Sequence, residues 1–386
     1  MEVAFVSTGY HPIHSGGGSI SSRLIVEELE RRGISVDVYT TTGADRGCSE
    51  LDTDIYEIPD GTASRLPRRV GKNYGVYDTF RARSQYDLLH VYGLGSLPGA
   101  VAAADIPVLG TINNLEWTCV NWTEYLRQGC PDHGFRETVN LAYADGYRTS
   151  LPLKVGMETA GKLLAKRADH FTVQNEGMAD VLSRCGYPER SITPVPNLLD
   201  PQFEQQSTAE TNRLVYVGRL VEKKGARDIV EAFIELDSQL RSDWTFSIYG
   251  AGQQKDAIAD RIARTDADIE IDYVPYDELP SVYADASVLV HGSKYPEPFS
   301  RTWLEAMASG TAIICSENPS SRAVLDGIAA LYDPFDSESL RAVLEQVLSD
   351  PDRRAEMIAA GLDTIPQYRP ERVVAQYETL YRELIG

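Results

Sequence analysis

Lysine is scarce in this chain of 386 residues: eight of its 37 basic residues are lysine and the rest are arginine. Positive charge as a whole is short. Asp and Glu number 57, the net charge is −20, and the pI is about 4.7. That balance argues against a nucleic-acid partner, because neutralising phosphates takes a basic face. An acidic surface poor in lysine suits a protein kept soluble in high salt, as in a halophile, and equally an ordinary acidic enzyme.

Cysteine is also thin. Cys48, Cys119, Cys130, Cys185 and Cys315 are odd in number, scattered, and form no C-x-x-C pair. A disulfide framework is thereby disfavoured, and reduced cytosolic thiols fit best. Cys119 and Cys130 could pair or bind metal, but small buried residues are the simpler reading. No apolar run approaches 18 residues, so nothing is expected to span a membrane. Met1-Glu2 leads straight into a strand, so no signal segment is expected. A cytoplasmic protein is expected, with the inner face of the membrane as a place of work. No Gly-x-Gly-x-x-Gly is present, which leaves a nicotinamide reading weak.

The length fits about two domains with full cores. Strand patterns alternate with helices: Val3–Ser7, a glycine loop, a helix over 19–32, and a strand over 34–40. Further strands fall at 87–92, 107–112, 170–175 and 192–196. A polar stretch over 197–212 breaks the pattern and reads as a linker. Alternation then restarts, with strands at 214–218, 245–250, 269–274, 287–292, 311–316 and 330–333. Helices are expected over 226–240, 254–265, 279–284 and 300–309, and in the tail over 337–349, 353–364 and 371–385. Such alternation predicts parallel sheets with right-handed crossovers. The expected fold is α/β, two Rossmann-like doubly wound domains facing a cleft. Ligands bind beyond the carboxyl ends of the strands in such sheets.

The most informative segment runs from Pro296 to Gly310 (PEPFSRTWLEAMASG). Pro298 cannot lie inside a helix, Ser300 is a good N-cap, and Gly310 is a good helix stop. Glu297 therefore belongs on a loop and Glu305 in the second turn of the helix. Paired carboxylates suggest a glycosidase, whose carboxyls stand about 5–5.5 Å or about 6.5–9.5 Å apart. Eight helical residues rise roughly 12 Å, and an extended start lengthens the gap. Glu297 and Glu305 could instead grip two ends of one long ligand; a loop glutamate plus a solvated helix glutamate explains the local sequence as well.

Other loops carry chemistry. Arg219 sits just past the first strand of the second half, and Lys224 precedes a glycine that turns the chain into a helix. Two cations there suit a diphosphate, Arg as a fork and Lys as a point charge. Gly16, Gly17 and Gly18 let backbone approach a ligand closely. Arg65, Arg68, Arg69, Lys72, Arg81 and Arg83 form the only strongly basic window, and Tyr74, Tyr77 and Phe80 recur within it. That segment, 65–83, could touch anionic lipid or a lipid-linked acceptor; a solvated helix face explains it as well.

Taken in this order and spacing, these residues resemble the retaining, nucleotide-sugar-dependent glycosyltransferases of family four, which have the GT-B fold. The most specific matches are Glu297–Glu305 with Ala306-Met307-Ala308-Ser309-Gly310, and Gly218-Arg219-Leu220 with Lys224-Gly225. Looser matches are Asp87-Leu88-Leu89-His90, Val195–Asp200 and the glycine loop. The resemblance implies that residues 1–198 form an acceptor-side domain and 199–370 a donor-binding domain, with the last helix, 371–386, packing back on the first. It implies that Arg219 and Lys224 hold the donor diphosphate, Glu297 contacts the transferred sugar, and the backbone at Phe299, Ser300 and Arg301 faces sugar and phosphate. Glu305 would take the ribose hydroxyls, and the glycine loop would close over the donor. No metal and no cofactor are implied beyond the nucleotide sugar as substrate.

The sequence departs from the family pattern in three places. Thr111-Ile112-Asn113-Asn114 has Asn113 where many members carry a histidine near the sugar. Asn hydrogen-bonds a hydroxyl but cannot titrate, which speaks against a proton shuttle there. Glu297-Pro298-Phe299-Ser300 replaces the commoner Glu-Gly-Phe-Gly. Pro319–Ala323 replaces a Gly-Gly pair, a change that could alter sugar choice or weaken activity. The expected activity is transfer of a hexose-type sugar from a nucleotide-diphosphate sugar to an unknown acceptor. The rivals are a nucleotide-sugar epimerase or phosphorylase of the same fold, a non-catalytic nucleotide-sugar-binding protein, and, far behind, a dehydrogenase.

Overall fold

The computed structural model describes residues 1–12, 16–41, 54–59, 68–83, 85–113, 151–204 and 211–386. Cys48, Cys119, Cys130, Arg65 and Asn114 lie outside these residues. The chain divides into two compact units, Met1–Leu198 with Pro370–Gly386, and Leu199–Arg369.

The first unit holds a seven-stranded parallel sheet. Its strands are β1 (Glu2–Ser7), β2 (Ser35–Thr40), β3 (Ile55–Glu57), β4 (Leu88–Tyr92), β5 (Val108–Thr111), β6 (His170–Val173) and β7 (Ile192–Pro194), in the order β3-β2-β1-β4-β5-β6-β7. Val3, Ala4, Phe5 and Val6 have no exposed surface. A near-continuous apolar run is what a strand covered on both faces needs. The C-terminal helix Pro370–Ile385 packs on this unit beside the helix Gly17–Arg31, and Arg32 joins them by an ion pair to Glu378 at 3.0 Å. His90 on β4 lies fully buried, 2.6 Å from both Tyr381 Oη of that helix and Thr111 Oγ1 of β5. Burial pushes its pKa down to about 3, so the ring is a neutral pin.

The second unit holds a six-stranded parallel sheet. Its strands are β8 (Arg213–Val217), β9 (Thr245–Tyr249), β10 (Ile269–Asp272), β11 (Val288–His291), β12 (Ala312–Ser316) and β13 (Ala330–Tyr332), in the order β10-β9-β8-β11-β12-β13. Both units are Rossmann-like α/β folds.

Four details differ from the sequence reading. β3 was not expected, being only three residues long with two of them exposed. The helix expected over 226–240 breaks into Ala226–Ile234 and Ser238–Ser242, because the Asp237 carboxylate caps the second piece at Gln239 N, 2.9 Å away. The supposed linker begins later: Leu199 and Phe203 are fully buried in the core of the second unit, and Leu199 N donates to Tyr368 O at 2.8 Å. Two apolar residues among polar neighbours gave no period to read. A helix, Pro319–Leu325, forms where none was expected, started by an Asn318 capping box with Ser321.

Candidate functional site

β8 and β11 are neighbours in the middle of the second sheet, so the segments leaving their carboxyl ends meet. Lys294 N donates to Lys223 O at 2.8 Å, and Lys223 Nζ lies 4.8 Å over the Tyr295 ring. Gly225 makes the approach possible. Its φ is +68°, and a Cβ there would stand 2.1 Å from the Gly292 carbonyl oxygen, so only glycine fits. A single turn, Glu222–Lys224, leads into it.

This approach delivers Lys224 to Glu297. The ammonium pairs with Oε1, and the other carboxylate oxygen, Oε2, lies 3.5 Å from His291 Nε2. Burial alone would raise the Glu297 pKa, but Lys224 and His291 outweigh it and hold the carboxyl well below the usual range. Glu297 is thus a buried, fixed anion. Its loop is secured by Ser320 Oγ, which donates to Pro298 O at 3.0 Å, and by Ser316 Oγ, which donates to Ser293 O at 2.8 Å. The Pro319–Ala323 stretch that departs from the family pattern therefore supports the glutamate loop.

Arg219 is exposed and makes no ion pair with another described residue. Lys223 has its pKa lowered by burial and by Arg219 and Lys224. Arg219, Lys223 and Lys224 therefore concentrate positive charge at one strand end of an acidic protein.

The helix Arg301–Ala308 carries Glu305 in its second turn. Ser300 stands at the N-cap position, but its hydroxyl does not cap; it lies 2.8 Å from Thr302 Oγ1. Gly310 ends the helix with φ +74°. Glu305 is buried, and its Oε2 accepts from Tyr283 Oη at 3.1 Å. Its Oε1 lies 3.5 Å from Arg301 Nε, and Arg301 Nη2 donates to Tyr276 Oη at 2.8 Å. Burial raises the Glu305 pKa against the opposing pull of Arg301. Burial also disfavours the Arg301 charge, but Tyr276 and Glu305 outweigh it and the pKa is raised. Arg301, expected to offer only its backbone, buries its side chain against Glu305. Phe299 sets its ring against Trp303 and Tyr368, at 5.6 and 5.9 Å.

On the first unit the glycines do not form a plain loop. Gly16 is the N-cap, and Gly17 and Gly18 open the helix Gly17–Arg31. Their carbonyls accept from Ser21 and Ser22 Oγ at 3.0 and 2.9 Å. Gly18 faces Asn113: a Cβ there would lie 3.2 Å from Asn113 Nδ2. Asn113 Oδ1 is buried with no hydrogen-bond partner among the described residues. The basic window splits. Phe80 is core, 4.9 Å from the Tyr39 ring, while Tyr74 and Tyr77 are exposed and Arg81 pairs with Asp78 at 2.9 Å.

Sequence reading missed His291, Cys315, Tyr276 and Tyr283. His291 ends an apolar strand and reads as a core histidine; its one signal is its place just before the loop that carries Glu297. Among the described residues, no group of three His, Cys, Asp or Glu could hold a metal ion, and no helix is long and apolar enough to cross a membrane.

Comparison with known proteins matches residues 15–203 to the family described as Glycosyltransferase Family 4 and residues 200–363 to the one described as Glycosyl transferases group 1. The O-antigen chain mannosyltransferase B of Escherichia coli is 28% identical over 188 residues, 48% of this chain and 49% of that protein. The chain spans about half the length, or less, of the first such relatives. The D-inositol 3-phosphate glycosyltransferase of Corynebacterium aurimucosum is 22% identical over 418 residues, 100% of this chain and 97% of that one. Among solved structures, Anabaena HepE in complex with UDP and glucose superposes with a TM-score of 0.72 at 16% identity, covering all of both chains.

Proposed function

Since the chain belongs to the GT-B glycosyltransferases, with a family 4 domain followed by a group 1 domain, we propose that it transfers a hexose-type sugar from a nucleotide-diphosphate sugar to an acceptor, with retention and without an essential metal. The observation that carries this reading is the buried Glu297 carboxylate, gripped by Lys224 at the strand end where Arg219 and Lys223 add positive charge. A fixed anion beside a cluster of cations suits a donor whose sugar is neutral and whose diphosphate is charged.

In this reading Lys224 and Arg219 hold the diphosphate. At an effective dielectric near 20, a charge pair about 4 Å apart is worth about 4 kcal/mol. Two such contacts would stabilise the leaving group as its charge develops, which is where preorganised cations act most strongly. Glu297 faces the sugar, Glu305 takes the ribose hydroxyls, and the backbone at Phe299–Arg301 meets sugar and phosphate. Asn113, whose buried oxygen has no partner among the described residues, is suited to accept from a donor hydroxyl. The anomeric carbon leaves the diphosphate oxygen and joins the acceptor oxygen, and the departing diphosphate takes the acceptor proton. No titrating residue at 113 is then needed. The reaction belongs in the cytoplasm, and the exposed Tyr74 and Tyr77 beside Lys72 and Arg81 support a peripheral contact with a membrane or a lipid-linked acceptor.

The test is incubation of the protein with a panel of nucleotide sugars, with and without EDTA, followed by anomeric proton NMR. Slow release of sugar with its configuration retained, unaffected by EDTA, is expected from at least one donor. A donor converted to another nucleotide sugar without acceptor would instead show an epimerase. Tight binding with neither transfer nor hydrolysis would show a non-catalytic binding protein, the reading that Asn113 favours.

A further inference from the structure

The His291 ring fills the space between two groups that no sequence feature links. It is 5% exposed, with Trp303 packed edge-on at 5.4 Å. Nε2 faces Glu297 Oε2 at 3.5 Å, and Nδ1 faces Cys315 Sγ, also at 3.5 Å. A neutral imidazole has one N–H and one lone pair, whereas an ionised carboxylate only accepts. A lone pair on Nε2 would face the anionic oxygen and repel it. The proton therefore belongs on Nε2, and Nδ1 must accept. Among the described residues, Cys315 is the donor in contact with it. Burial drives the thiol pKa well up, so Cys315 keeps its proton. The Ser316 carbonyl, 3.3 Å from Sγ, competes for that proton.

We propose that His291 is a positioning residue for Glu297, presenting to Oε2 an Nε2–H that has no hydrogen-bond partner among the described residues, and that the Cys315 thiol fixes this tautomer from Nδ1. The need for a second grip follows from the first. Lys224 pairs with Oε1, yet the same ammonium is the one assigned above to the donor diphosphate. When a phosphate draws on Lys224, His291 still aims the carboxylate. The purpose of the anchor rests on the transfer reading; its geometry does not.

Two readouts separate them. The first is long-range proton–nitrogen NMR of ¹⁵N-histidine in the full chain at neutral pH, with the His291 signals identified by their loss in His291→Gln. The Nε2–H tautomer is expected in wild type and in Cys315→Ser, and a tautomer mixture in Cys315→Ala. A wild-type ring found as the Nδ1–H tautomer or as imidazolium overturns the proposal. The second is turnover of UDP-glucose, GDP-mannose and ADP-glucose. His291→Leu should lower kcat at least about tenfold while donor KM moves by no more than about twofold. His291→Gln, whose amide NH₂ can stand where Nε2–H stood, should keep most of the rate, and it carries the test if the leucine variant does not fold. A glutamine variant as slow as the leucine one overturns the positioning role. A wild type that turns over no donor but carries the Nε2 proton overturns the transfer reading and leaves the anchor standing.

Discussion

Lys224 and Glu297, 73 residues apart in sequence, form an ion pair at the carboxyl edge of β8 and β11. Neither residue could be read alone as paired with the other, and the contact exists because Gly225 passes under Gly292. A pair of this kind can be opened by a ligand that offers Lys224 a better partner, and a diphosphate is one.

Lys224→Ala and Arg219→Ala should each lower turnover at least about tenfold, the effect of about 1.4 kcal/mol at the transition state. Their stabilities should part. Arg219 is exposed and unpaired among the described residues, so its loss should shift unfolding by less than about 0.5 kcal/mol. Lys224→Ala leaves a buried carboxylate with His291 alone and should cost several times that. Initial rates with urea unfolding check both, and near-normal turnover in either variant would remove the diphosphate assignment.

Arg301 and Glu305 are both buried, with the guanidinium also bonded to Tyr276. Removing one partner of a buried pair costs about 3–5 kcal/mol because the other charge is left uncompensated. Arg301→Leu should therefore destabilise the second unit strongly. Glu305→Gln, which can still accept from Tyr283, should be milder in unfolding while raising donor KM. Thermal unfolding and donor titration would separate the two, and a stable Arg301→Leu protein would show that the pair carries little.

His90 sets a pH dependence. Its folded pKa, about 3, lies below the ordinary value of 6.5, so the unfolded chain binds the proton more readily. Stability is complete above about pH 6.5 and falls as pH drops towards 3, by up to about 1.4 kcal/mol per unit from this group. His90→Gln should flatten the slope of unfolding free energy between pH 6.5 and 5, measured in urea, and an unchanged slope would contradict the neutral-pin role.

Gly225→Ala should be among the most disruptive single-methyl changes. It asks for a left-handed φ and places Cβ 2.1 Å from a carbonyl oxygen. Strain of this kind costs at least about 1–3 kcal/mol. Because the same turn presents Lys224, loss of turnover should accompany loss of stability; full activity in the alanine variant would mean the loop has another route.

Much of this was legible in the chain. Apolar runs such as Val3–Val6 and Val288–Val290 announced buried parallel strands, and Pro298 with Gly310 bounded the Glu305 helix. The spacing of Glu297 and Glu305 separated them from a glycosidase pair, and the structure gives each its own set of partners. What was not legible depends on contacts across strands. His291 looks like core because it ends an apolar strand, and Cys315 looks inert because the imidazole it meets lies on the neighbouring strand, 24 residues away in sequence. Ser300 carried a cap signal that its hydroxyl does not use, since Thr302 competes for it. Leu199 and Phe203 lay hidden in a polar stretch whose composition suggested a tether.

The most direct measurement follows the anomeric signals of a nucleotide-sugar panel by proton NMR in the presence of wild-type protein, Lys224→Ala and Glu297→Gln. The expected result is consumption of at least one donor by wild type, with the released or transferred sugar keeping its anomeric configuration, and consumption at least about tenfold slower in both variants. Inverted product, or variants as fast as wild type, would contradict a retaining transfer built on this pair.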